Sequence, residues 1–116
     1  MATQKKPRKR RTRWQRVFDD MVDGLVEQAM HAALSETYHG IRASNDGVTP
    51  DQAFDIALGV LGEQWVMDKV VDAACDVMCE DELPEHDVAQ ARVTAAACTA
   101  AAAAFAMRHK LPAGRA

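Results

Sequence analysis

The chain has 116 residues, 48% apolar but only 5% aromatic, which suits one domain with a modest core rather than two. Its three cysteines are an odd number, which argues against a fully paired disulfide framework and for a reducing compartment. The longest low-charge run, Val93–Met107, is about 15 residues of mostly alanine, short of the ~20 that a membrane span needs.

The formal charge of −3 hides a sharp segregation. Residues 1–16 hold eight cations and no acid: Lys5, Lys6, Arg8, Lys9, Arg10, Arg11, Arg13 and Arg16. The other hundred residues hold six cations and seventeen acids, so a head of +8 precedes a body of −11. So dense a block repels itself and has no apolar pattern before Trp14, so residues 1–13 are expected to form a disordered basic arm. A helical domain is expected over 14–111 and a flexible tail over 112–116.

The first helix is expected from Thr12 to about Ala43. Trp14, Phe18, Met21, Leu25 and Ala29 recur at helical spacing, and Thr12 with Gln15 forms a capping-box pair. A break is expected near Gly40, because a glycine inside a helix costs ~1 kcal/mol. Gly24, among strongly periodic neighbours, suggests a close helix–helix approach instead. Thr49-Pro50-Asp51-Gln52 then gives an N-cap, a proline at the first helical position and a second capping box, with Val48 placed to staple onto Ala53 or Phe54.

The second helix is read as running on to Met78–Glu80, with Phe54, Leu58, Leu61, Trp65, Val66, Val70, Ala74 and Val77 facing inward. Gly59 and Gly62 mark a bend or a close crossing where that stripe drifts. The third helix opens at Pro84 and runs to Lys110 on a stripe of Val88, Ala91, Ala95, Cys98, Ala102 and Phe105. The fold class is therefore all-α: three long helices in a small bundle. Alanine buries little area, so a homodimer is expected to complete the core.

Chemistry-bearing patterns are sparse. Cys75 and Cys79 share a helix face, and with Cys98 and His86 or His109 could offer zinc ligands, but the knuckle spacing is missing. Glu36–His39 is one ExxH where a di-metal bundle needs two, with Glu27, His31 and Glu63 as the remaining candidates. Ser35 and Ser44 lie in no nucleophile setting, and Gly59–Gly62 lacks the phosphate-loop spacing. No catalytic residue, metal or cofactor is assigned, and an enzyme is not expected.

Two surfaces remain. The head suits a phosphate backbone, which asks for many cations on a mobile support; Trp14 could stack on a base, but anchoring the start of the helical core is the preferred role for it. Asp68, Asp72, Asp76 and Glu80 recur every four residues as a candidate docking row for something basic. The expected function is an architectural or particle-associated protein. Its arm binds DNA or RNA, its acidic body self-associates, and it has no membrane partner. An adaptor or inhibitor that takes a basic protein partner on the acidic row is the alternative, and a metal-dependent helical enzyme is the third reading. The expected location is cytoplasm or nucleoid, or the nucleus in a eukaryotic or viral setting, where KKPRKRR would serve as a localisation signal.

Overall fold

The computed structural model describes residues 12–109. They form four helices, not three: α1 (Arg13–Ser44), α2 (Pro50–Leu61), α3 (Gln64–Met78) and α4 (His86–His109). α4 packs most extensively on α1 and then on α3, and α2 lies chiefly against α1. Lys5, Lys6, Arg8, Lys9, Arg10 and Arg11 lie outside the described residues, as does the expected tail.

Both capping boxes form. The Gln15 amide donates to Thr12 Oγ1 at 3.0 Å and the Thr12 amide to Gln15 Oε1 at 2.8 Å. Thr49 and Gln52 repeat the exchange at 3.1 and 3.0 Å. Each box satisfies amides that the first helical turn would otherwise leave without a partner. Val48 packs on a small cluster of Ile41, Ala53 and Ala57.

α1 does not break near Gly40. Ile41, one residue later, is buried in that same cluster, and its carbonyl accepts from the Asn45 side chain at 2.9 Å. A buried anchor and a side-chain cap hold the last turn against the glycine's cost. The second helix, by contrast, is two. The core face of α2 is Ala53, Ala57, Val60 and Leu61. Continued in phase, it would drive Gln64 and Asp68 inward. Gly62 ends α2 instead, and extended Glu63 opens α3, whose core face restarts at Val66, Val70, Ala74, Val77 and Met78. Gln64 and Asp68 stay outside and hydrogen-bond each other at 2.9 Å. Pro84 is not the first residue of its helix either: α4 starts at His86, and the Glu85 carbonyl accepts from Ala89.

The core uses small residues for closeness. Ala29, Ala33, Ala53, Ala57, Ala74, Ala97 and Ala101 are fully buried around Val60, Val66, Val70, Val77 and Val93. The expected face of α4 is wrong by one position. Ala89, Val93, Ala97, Ala101 and Ala104 point inward, while Val88, Ala91, Ala95 and Ala102 are exposed. Phe54 and Leu58, expected inside, are 45% and 46% exposed. By length and composition alone α4 is apolar enough to cross a membrane, although a third of that window is buried in the bundle.

Candidate nucleic-acid interface

Of the cationic head, Arg13 and Arg16 are described. Both are exposed on the first turn of α1, directly after the Thr12 cap. Helical geometry thus continues the sequence's cationic run for one turn, at the positive pole of the helix, where an anion is favoured and a side-chain cation is not. Trp14 is 62% exposed. It therefore does not anchor the core, the role its place in the periodic pattern suggested.

The row Asp68, Asp72 and Asp76 is exposed along α3, with Glu80 in the turn beyond. Its members are not equivalent. Glu80 accepts from Arg92 of α4 at 2.6 Å, and that bond holds its carboxyl below the usual range. Asp68 accepts from Gln64. Burial pushes the Cys75 thiol up, and the neighbouring Cys79, the carboxylates of Asp72 and Asp76 and, from α1, Asp19 add to it. The last of these places Asp19, near the start of α1, on the side of α3 that holds Cys75.

Cys75, Cys79 and Cys98 are free thiols. Cys98 does not join the other two: it donates to Glu36 of α1 at 3.2 Å. Burial, with that hydrogen bond and the carboxylate's charge, pushes its pKa up to about 11. A neighbouring carboxylate therefore keeps this sulfur protonated, the opposite of activating a nucleophile. Among the described residues no group of three or more His, Cys, Asp or Glu could hold a metal ion. Glu36 of the ExxH pattern is engaged with the thiol, and His31 and His39 are exposed.

Among the contacts that escaped the sequence reading are Glu80–Arg92, Glu36–Cys98, and the Gln90 side chain donating to the Leu25 carbonyl at 2.9 Å. The first joins α4 to the turn after α3, and the partners of the others are 62 and 65 residues apart. Compared with protein-family models, characterised proteins and solved structures, the chain matches none.

Proposed function

We propose that this is a helical nucleic-acid-binding protein that uses the 1–16 arm on an acidic, self-associating body, in an architectural or particle-associated role. The observation that carries the reading is the segregation of charge: eight cations without an acid at one end, a net −11 over the rest. A polyanion is the partner such a head suits, because each neutralised phosphate releases a condensed counterion. Arginine outnumbers lysine in the head, which adds bidentate grip on phosphate oxygens. The body's acids repel the same polyanion and confine contact to the arm. The sequence carries no recognition-helix or stacking-platform signature, so the binding is expected to be weakly selective for sequence.

The test is a mobility-shift titration across salt with intact protein and a variant lacking residues 1–11, which keeps the Thr12–Gln15 cap. If five or six phosphates are neutralised, the log–log salt slope on duplex DNA is roughly −5, and the deletion abolishes it. Equal binding by both proteins sinks the reading. DNA and RNA probes, each duplex and single-stranded, run in parallel decide which nucleic acid is preferred.

A second reading, an adaptor that takes a basic protein partner on α3, is favoured by the exposure of Asp68, Asp72 and Asp76. Changing all three to Asn would abolish such a complex and leave the salt-dependent mobility shift in place.

A further inference from the structure

α1 carries a second apolar line that no other described residue covers. Trp14, Val17, Met21 and Gly24 repeat at alternating steps of three and four, the spacing of a coiled-coil seam. This is not the core face, which Val22, Leu25, Ala29 and Ala33 provide. Trp14 is 62% exposed, Val17 41% and Met21 42%. A side chain built at Gly24 would meet nothing within 4 Å. Among the described residues the close approach that this glycine suggests is therefore not made. At Gly24 the seam opens into a cavity of about 210 Å³ between α1 and the α3–α4 turn, lined by Met21, Leu25, Met78, Leu83 and Pro84. Leu83 is itself 52% exposed.

We propose that a second copy of this chain covers the seam, α1 crossing α1 antiparallel about a two-fold axis between Val17 and Met21. Two features of the seam select that occupant and that direction. The first is shape. In this register Trp14 lies over the partner subunit's Gly24 and Val17 over the partner subunit's Met21, so every exposed apolar member is covered. The bulkiest side chain meets the position that has none and enters the cavity beside it. An isologous interface requires such self-complementarity, with a projection and a recess on the same surface.

The second is charge. A parallel pair would stack Trp14 on the partner subunit's Trp14 and gather both eight-cation heads at one end, against their repulsion. The antiparallel pair sends the heads out at opposite ends. It also sets the basic first turn, Arg13 and Arg16, alongside the partner subunit's Asp20, Asp23 and Glu27. The two heads are kept apart and each basic first turn faces acids, which outweighs the single like pair of Asp20 with its own copy near the axis; polar flanks fix the direction of helix pairs in this way.

The two copies of Arg13 are then twelve residues apart along the crossing, about 18 Å at ~1.5 Å per residue. One assembly would present two phosphate-gripping heads, and their linkage would tighten binding beyond that of either alone. This last step rests on the nucleic-acid reading; the interface itself does not.

The test is sedimentation equilibrium of the full chain without nucleic acid, joined to intermolecular crosslinking. Intact protein is expected to dimerise. Gly24→Leu has room to fold within one chain but fills the recess, so it should weaken dimerisation roughly tenfold or more while helical circular dichroism is kept. Trp14→Ala and Val17→Glu should do the same at positions already exposed in the monomer. In a background free of native cysteines, protein carrying Val17→Cys mixed with protein carrying Met21→Cys should crosslink faster than either does with itself.

A monomer at all concentrations, a dimer indifferent to Gly24→Leu, or faster crosslinking of the Val17→Cys protein with itself than with its Met21→Cys counterpart overturns the proposal. So does a monomer whose Trp14 fluorescence, read in a Trp65→Phe background, shifts only on anionic phospholipid vesicles. A monomer that still binds duplex sinks the interface and leaves the arm reading standing; a dimer that ignores duplex does the reverse.

Discussion

Ala101 and Ala102 are neighbours on α4 with opposite environments, and a leucine at each gives a sharp test of how this bundle is held. Ala101 is 0% exposed, whereas Ala102 lies on the outer surface. Leucine and alanine both favour helix, so intrinsic propensity nearly cancels and the surroundings decide the outcome. At Ala101 the added atoms enter a packed layer with Ala97 and Ala104 also buried, and overpacking of that kind costs about 1–3 kcal/mol. For a domain of this size that lowers Tm by roughly 5–20 °C. At Ala102 the same atoms have room in an open groove beside Gly40, Ile41 and Phe105, and the change costs no more than about 0.5 kcal/mol. Thermal and urea unfolding followed by circular dichroism reads both. Equal losses for the two variants, or a larger loss for Ala102→Leu, would show that α4 is rotated from the face described, and the account of the alanine core would fall with it.

Four further changes probe other contacts. Gly59→Ala removes a helix-interior glycine from α2, and its new methyl meets only the mobile end of Arg108, at 2.9 Å. Because the Arg108–Glu63 pair is 3.4 Å long and its side chains are 45% and 33% exposed, its displacement costs little, and urea melts should show a net gain between zero and about 1 kcal/mol. Thr49→Ala breaks the second capping box and should cost about 1 kcal/mol by the same measurement, whereas Thr49→Ser should recover most of it. The raised Cys98 pKa means the fold favours the neutral thiol. That contribution is complete below the ordinary thiol pKa and is lost as pH rises through about 11, so thiolate absorbance in a Cys75→Ser, Cys79→Ser background should titrate late, and Glu36→Gln should bring it earlier. Glu80 has the opposite sign: its contribution is present above the ordinary carboxylate range and is lost as pH falls through its lowered pKa, so Arg92→Gln should flatten the acid limb of the stability profile.

Local signals in this sequence read well, and relative phase read poorly. Thr12-Gln15 and Thr49-Gln52 specify their caps through chemistry confined to four residues, and both caps formed. Val66, Val70, Ala74 and Val77 gave the face of α3 because branched residues stand among acids there. α4 offered no such contrast. With alanine at most of its positions, several faces are nearly equal in apolarity, and only the burial of Val93 sets the phase. The reading that began from Val88 chose the wrong side. The split at Gly62 was visible as a drift in the stripe. Reading it as a stop, rather than as the bend or close crossing expected, needed the fact that a continuous helix would bury Gln64 and Asp68, and that depends on where α1 and α4 lie. Of the candidate site, the exposed acidic row was legible from its spacing. The engagement of Glu80 by Arg92 was not, because it joins α4 to the turn after α3.

Trp14 links the two proposals and also sets them against each other. As a base-stacking residue it would need its indole face open when nucleic acid arrives; at the α1 seam it is covered before that. Phosphate contact by the arm makes no such demand, since Arg13 and Arg16 lie on the flank of the seam and the remaining head cations precede it. The seam therefore assigns affinity to the arginines and lysines and assembly to the tryptophan. The expected consequence is a separation of effects. Trp14→Phe, which keeps an apolar ring, should leave both dimerisation and the salt slope close to those of the intact protein. Trp14→Ala should dissociate the dimer and weaken duplex binding by loss of linkage, while each released head keeps its own salt dependence. Sedimentation and mobility-shift titration on the same three proteins read this directly. A Trp14→Ala protein that stays dimeric yet loses single-strand binding would place the indole on the base, and the seam would have to be abandoned.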